Sequence, residues 1–275
     1  MARDKEMELE RRCIRLEGGS NLRDIGGYKA VDGRRIKWGH VYRSGSLWGL
    51  TKADWGWIDQ RQIRAICDLR SDGEREIAPT VWDARQVPLQ VDEIYSADHL
   101  FTRRRRGSEA GVGEMETRLY GLFSRLLAPS FRGFFRALIE GHVPAIVHCT
   151  AGQDRTGLAV SLLLTALGVD RDTIYADYLL STELRIPKNE MDHSLLPALA
   201  DSNAVARFYT DLMQERGPDV FKPRRLLDAN GIPLVEVALG VIARDWGSLE
   251  GYMEEELGVG PAEIRELRDR LLEKV

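Results

Sequence analysis

The chain has 275 residues and a mass of 31.1 kDa, enough for one large domain or one domain with a sizeable insertion. Hydrophobic residues at 43% and charged ones at 30% are ordinary globular composition, which excludes global disorder. With 39 basic and 43 acidic residues the formal charge is −4, so no nucleic-acid-binding surface is expected, and no apolar run approaches the length of a membrane span.

Three cysteines (Cys13, Cys67 and Cys149) are too few for a disulfide framework, and residues 1–12 lack the apolar stretch of a signal peptide. A reduced, cytoplasmic protein with a free thiol is the expectation.

Residues 12–17 read as a short entry strand closed by Gly18 and Gly19, and the Gly-punctuated stretch from Asn21 to Tyr28 as a loop. Residues 40–43 and 65–69 read as short buried strands, with a helix between them over about 52–62. A further strand is expected over 84–89, ending near Pro88. Met115, Leu119, Leu122, Phe123 and Leu126 make an apolar stripe at helical spacing, and residues 131–140 a second amphipathic helix stopped by Gly141.

Residues 145–148 form a compact strand entered through Pro144, a loop covers 149–155, and a helix over 156–167 is apolar on nearly all sides. Gly168 reads as its C-cap and Asp170 or Asp172 as the next N-cap. The last hundred residues contain no convincing strand. Val205, Phe208, Tyr209, Leu212 and Met213 form one helical stripe and Ile264, Leu267, Leu271 and Leu272 another, with Pro233 and Pro261 placed as first helical residues. Strands alternating with helices predict an α/β fold, a central mostly parallel sheet flanked by helices. One domain over 1–275 is expected, with about 183–232 as a helical insertion or lid.

The stretch His148-Cys-Thr-Ala-Gly-Gln-Asp-Arg-Thr-Gly157 carries the chemistry. A loop from a buried strand to a helix N-terminus turns successive backbone amides and the positive end of the helix dipole into one concavity, which suits a tetrahedral oxyanion. Thr150, Ala151, Gly152, Gln153, Asp154 and Arg155 would line it, with Gly152 permitting the tight turn and Arg155 offering a planar fork to two phosphate oxygens. Cys149 in that concavity is expected as a thiolate, to which Thr156 can donate a hydrogen bond.

This stretch resembles the His-Cys-x5-Arg-Ser/Thr signature of the cysteine-dependent protein tyrosine phosphatases. It is most similar to a bacterial branch typified by secreted mycobacterial and listerial phosphatases. Further stretches resemble landmarks of that branch in the expected order: Asn21-Leu-Arg-Asp-Ile-Gly-Gly27, Tyr42-Arg-Ser44, Asp68-Leu-Arg70 and Gly247-Ser-Leu-Glu-Gly-Tyr252.

The resemblance implies a two-step hydrolysis. Cys149 attacks phosphorus while an acid protonates the leaving oxygen, and water then cleaves the phosphocysteine. Loop amides and Arg155 stabilise the equatorial oxygens, with no metal or cofactor. Phosphotyrosine in a protein or peptide is the expected substrate, with phosphoserine and phosphothreonine as further candidates.

The acid is expected at Asp154, inside the loop, as proposed for this branch; the Trp-Pro-Asp loop of many relatives is missing, since Trp82-Asp83 lacks the proline. Asp68, Asp72 and Asp98 are rivals, although Asp68 and Arg70 also read as an ion pair bracing the loop. His148 reads as a support holding the cysteine in place. Close relatives often carry lysine where this chain has Gln153, and that lysine is linked to phosphoinositide recognition.

Gln153 keeps hydrogen-bonding capacity and loses that charge, which argues against multiply phosphorylated lipids. An inositol phosphate or phosphoinositide phosphatase sharing the same loop is the alternative enzyme, and a catalytically silent phosphate-binding pseudophosphatase the alternative from another class. The run Arg103-Arg-Arg-Arg106 reads as a solvated loop, or as a site recruiting an anionic substrate segment or lipid headgroup. Because some relatives act outside the bacterium without a recognisable signal, leaderless secretion also stays open.

Overall fold

The structure is a computed structural model that describes residues 2–96 and 112–274. The arginine run at 103–106 and the rival acid Asp98 lie outside the described residues. Helix α1 (Ala2–Arg12) leads to β1 (Arg23–Asp24), β2 (Arg35–Ile36) and β3 (Val41–Ser44), followed by α2 (Lys52–Gln60), β4 (Ala65–Asp68), α3 (Asp72–Ile77) and β5 (Leu89–Val91). Next come α4 (Val112–Leu126), α5 (Ala128–Ile139), β6 (Ala145–His148), α6 (Asp154–Ala166) and α7 (Arg171–Leu184). The remainder is α8 (Leu196–Leu199), α9 (Ala204–Arg216), α10 (Val235–Trp246), α11 (Leu249–Glu255), α12 (Pro261–Leu271) and β7 (Leu272–Glu273).

The main sheet has the order β1-β3-β6-β4-β5, parallel except for β1 at its edge. Side chains alternate across it, as the two-residue period of a strand requires. Val41, Ala65, Cys67, Ala145 and Val147 enter the larger core with α5, α6, α10 and α12, whereas Tyr42, Ile66 and Ile146 pack with Leu47, Trp55 and Ile58 on the other face. Burying both faces is what a parallel sheet needs. Central β6 is in register with both neighbours, so Ser44 and Asp68 each lie opposite His148. Three strand ends therefore converge where the 149–155 loop leaves the sheet.

Several expectations are corrected. Residues 12–17 are not a strand: α1 ends at Arg12, and an isolated bridge between Cys13 and Arg23 follows. The strand expected at 84–89 begins at Leu89, after Pro88, which has no amide to give to a ladder. The C-terminal region does hold a strand, β7, whose two residues pair with β2 and whose Glu273 accepts from Arg35 Nε at 3.0 Å. Pro233 precedes the N-cap Leu234 and is not the first residue of α10, while Pro261 does open α12.

Within 183–232, Met191 and Leu196 join Val205 and Ala206 of α9 in a third apolar cluster with Ile77 and Ala78 at the end of α3. Asn203 caps α9, and its Nδ2 donates to Gly73 O at 2.9 Å and to Glu76 Oε2 at 2.8 Å. This segment is thereby fastened to α3, which borders the strand ends.

Candidate active site

The loop from Cys149 to Arg155 is held open from outside. Ser46 N donates to Thr150 O at 2.8 Å, Asn21 Nδ2 to Ala151 O and Gly152 O at 3.0 and 2.9 Å, and Arg43 Nη2 to Gly152 O at 3.0 Å. Drawing three successive carbonyls outward turns the intervening amides toward the concavity, which is how a backbone nest for an anion is made. Gly152 has φ +65, and a Cβ there would meet Ser44 O at 2.3 Å, so any side chain would push the loop off β3. Helix α6 starts at Asp154, two residues before the sequence suggested, so its N-terminus faces the same space.

Arg23, Arg43 and Asp177 supply the rigid backing. Asp177 accepts from Arg23 Nε at 3.0 Å and makes a short bond with Arg43 Nη1, all three groups being fully buried. Burial alone would raise the Asp177 carboxyl, yet the two guanidiniums hold it well below the usual carboxylate range.

Arg155 is clamped by Glu74, a residue the sequence reading passed over. Glu74 Oε2 lies 2.5 Å from Arg155 Nη1 and Oε1 lies 2.6 Å from Nη2, a bidentate pair. Thr150 Oγ1 also donates to Glu74 Oε1 at 2.5 Å, and Ser71 donates to Oε2 through its amide and hydroxyl at 3.0 and 2.9 Å. Burial would raise the Glu74 carboxyl, but Arg155, Thr150 and Ser71 together bring it down to about 2. The signal was present: Ser71-Asp-Gly-Glu74 is a capping box that starts α3. Arg155 Nη1 also reaches Tyr95 Oη at 3.2 Å and Leu69 O at 3.3 Å.

Asp68 faces Arg70, with Arg70 Nη2 at 2.7 Å and Nε at 2.9 Å, and Arg75 Nε lies 3.5 Å away. Burial raises its carboxyl, but His148, Arg70 and Arg75 outweigh that and hold it far below the carboxylate range. Arg70 continues to Ser46 Oγ, Ala78 O and Thr80 Oγ1 at 3.1, 2.6 and 3.1 Å. His148 is buried with Nδ1 3.3 Å from Cys149 O, and burial pushes it down to about 4, so it is neutral at pH 7. Cys149 itself is 2% exposed at the base of the loop.

The expected bond from Thr156 to the Cys149 sulfur is not formed. With α6 beginning at Asp154, Thr156 lies inside the first turn, where its hydroxyl is buried without a partner among the described residues.

Asp154 lies in the same first turn, its Oδ1 taking a short hydrogen bond from Tyr120. Gln153 is buried, and its Oε1 accepts from Arg185 Nη1 at 2.8 Å; Arg185 is paired with Glu190 at 2.7 Å. Asp72 is exposed and bonds the adjacent Gly73 amide. Among the described residues no group of three or more His, Cys, Asp or Glu side chains could hold a metal ion, and no helix is long and apolar enough to cross a membrane.

Comparison with known proteins agrees with this geometry. The profile of the tyrosine phosphatase family matches residues 14–273. A protein of Cupriavidus necator, provisionally named a tyrosine-protein phosphatase, is 31% identical over 250 residues, covering 90% of this chain and 84% of its own. The triple specificity protein phosphatase PtpB of Mycobacterium tuberculosis is 29% identical over 289 residues, covering 94% and 98%. A tyrosine-protein phosphatase of Nostoc commune is 25% identical over 237 residues, covering 83% and 73%. The chain belongs to the tyrosine phosphatase family, whose general mechanism is hydrolysis of a phosphate monoester through a phosphocysteine.

Proposed function

We propose that this protein removes phosphate from phosphotyrosine in proteins or peptides, with Cys149 as nucleophile, Arg155 and the 150–155 amides as the oxyanion cradle, and Asp154 as acid and then base. The observation that carries the reading is Arg155 locked against Glu74 beside a loop whose Thr150, Ala151 and Gly152 carbonyls are bound by Ser46, Asn21 and Arg43. A guanidinium fixed in place before substrate arrives stabilises the equatorial oxygens without reorganising. In the first step the Cys149–phosphorus bond forms as the phosphorus–oxygen bond of the ester breaks, and Asp154 gives its proton to the departing oxygen. In the second, water attacks phosphorus, its proton passes to Asp154, and the thiolate leaves.

Asp154 is favoured over Asp68 because Asp68 is bound to Arg70 and stays ionised, so it has no proton to give. Asp68, Arg70 and His148 instead brace the loop. The protein reading is favoured over the phosphoinositide one because the cation beside Gln153, Arg185, is matched by Glu190 and adds no net charge for further phosphates. Phosphoserine and phosphothreonine are secondary substrates on this reading, the breadth that the name of the Mycobacterium relative states for that protein.

The chain acts as one domain over 1–275, with 183–232 covering the site. Burial and the Glu74 charge push Tyr209 of α9 up to about 12, against the pull of Arg155 and Arg185, which supports a position of α9 over the pocket.

The test is a panel of phosphotyrosyl, phosphoseryl, phosphothreonyl and inositide substrates, run with EDTA and beside Cys149→Ser. The phosphotyrosyl peptide should be turned over fastest and Cys149→Ser should be inert. Faster turnover of the inositides would replace the proposed substrate class.

A further inference from the structure

Two tyrosines with no part in the reaction above converge on Asp154. Tyr120, on α4, directs its hydroxyl to Asp154 Oδ1 in a short hydrogen bond, and Tyr178, on α7, lies with its hydroxyl 2.5 Å from that of Tyr120. Both side chains are buried, Tyr120 at 2% exposure and Tyr178 at 0%. Tyr120 packs its ring against Phe123 with centroids 5.1 Å apart, which leaves the hydroxyl little freedom to turn away.

The direction of this chain follows from counting protons. An ionised Asp154 only accepts, and a carboxyl protonated on Oδ2 still accepts at Oδ1. In both forms the acid needs, the single proton of Tyr120 is therefore committed to Asp154 Oδ1. The proton between the two tyrosines must then come from Tyr178. Burial, and next the charge of Asp154, hold the Tyr120 hydroxyl well above its ordinary range, so it remains a donor across working pH.

Room for the arrangement comes from Gly157. It lies three residues after Asp154, on the same face of the first turn of α6. A Cβ at Gly157 would meet Tyr178 Cδ2 at 2.7 Å and Cε2 at 2.8 Å, so any side chain there would drive Tyr178 away from α6. The last residue of the Asp154-Arg-Thr-Gly157 run is therefore required by the tyrosine behind the carboxylate.

We propose that Tyr120 is a positioning residue for proton transfer by Asp154, and that Tyr178, admitted by Gly157, fixes the direction of its hydrogen bond. With Oδ1 occupied by the Tyr120 donor, the transferable proton resides on Oδ2. In the first step that proton goes to the leaving oxygen as the phosphorus–oxygen bond breaks, and the carboxylate left behind keeps the Tyr120 bond. In the second step Oδ2 takes a proton from the attacking water as the sulfur–phosphorus bond breaks. Tyr120 touches neither substrate nor reacting atoms and keeps its own proton throughout.

This inference rests on the assignment of Asp154 as the acid, and the experiment separates the two. kcat/KM is measured for phenyl phosphate, whose leaving group needs a proton, and for 4-nitrophenyl phosphate, which needs one less. Asp154→Asn should depress the first far more than the second. Tyr120→Phe should do the same on a smaller scale, about tenfold on phenyl phosphate and under about threefold on 4-nitrophenyl phosphate, the loss expected for one hydrogen bond to a charged group. Vanadate affinity should stay at the wild-type value, since the cradle is untouched.

Tyr178→Phe leaves Tyr120 in place and should show a weaker effect of the same sign; it serves if Tyr120→Phe proves too unstable to assay. Adding Tyr120→Phe to Asp154→Asn should bring no further discrimination. If Asp154→Asn discriminates but neither tyrosine variant does, or if both substrates fall equally, the positioning role is wrong. If Asp154→Asn fails to discriminate, the acid assignment itself falls, and this inference with it.

Discussion

Glu74→Gln keeps the shape of the side chain and removes the charge that clamps Arg155. Its cost follows from the structure by two routes. Breaking one half of a buried ion pair leaves the other charge uncompensated, which costs about 3–5 kcal/mol. Independently, Glu74 is brought down to about 2 from an ordinary 4.5 against the opposing effect of burial, and a gap of that size corresponds to about 3 kcal/mol.

Because the folded carboxyl is the stronger acid, this contribution is complete above about pH 4.5 and disappears as pH falls toward 2. Guanidinium unfolding of wild type and Glu74→Gln at pH 7, 5, 4 and 3 should therefore show a deficit of about 3 kcal/mol in the variant that shrinks below pH 4.5. Asp68 and Asp177 titrate at low pH in both proteins, so the difference between the two curves isolates Glu74. Vanadate should recover part of the deficit at pH 7 by giving Arg155 an anionic partner. A deficit below about 1 kcal/mol, or one that stays constant with pH, refutes the clamp.

Other consequences can be measured on single variants. Cys149→Ser should lose turnover by roughly a thousandfold or more while still binding a phosphotyrosyl peptide in calorimetry; retained turnover would exclude the thiolate mechanism. Gly152→Ala, which sets a Cβ 2.3 Å from Ser44 O at a positive φ, should cost about 2 kcal/mol or more and lower kcat/KM beyond tenfold; wild-type kinetics would show that the cradle tolerates displacement. His148 is pushed down to about 4 by burial, so unfolding should take up a proton as pH drops from 6.5 toward 4 and stability should fall through that window. In His148→Gln that slope should be shallower, and an unchanged slope would show that His148 does not set it.

What could be read from the sequence was local. Cys149 and Arg155 are only six positions apart, and their spacing, with a strand before and a helix after, specifies the loop by itself. Glu74 is 81 residues from Arg155, so nothing in its neighbourhood names its partner. The only local signal, the capping box that starts α3, accounts for Glu74 as a helix start and says nothing of the second use of the same carboxylate.

Tyr120 lies beside Leu119, Leu122 and Phe123 of an apolar stripe, where an aromatic reads as core; its ring is core, and its hydroxyl serves Asp154. Residues 12–17, a short mixed segment closed by Gly18 and Gly19, suit an entry strand. The chain turns instead at Asn21, which has φ 58, and at Asp24, whose carboxylate accepts from the amides of Gly26 and Gly39, so β1 is limited to two residues. β7 is equally short, and a two-residue strand has no periodicity to read.

The central claim is that phosphate passes through the Cys149 sulfur. The direct measurement is acid quench of the enzyme during turnover of 4-nitrophenyl phosphate in EDTA, followed by digestion and mass spectrometry. The peptide containing Cys149 should carry one phosphoryl group, accumulating further in Asp154→Asn, where the base for the second step is missing. Phosphate on another residue, or steady turnover with no phosphoenzyme in either protein, would contradict it.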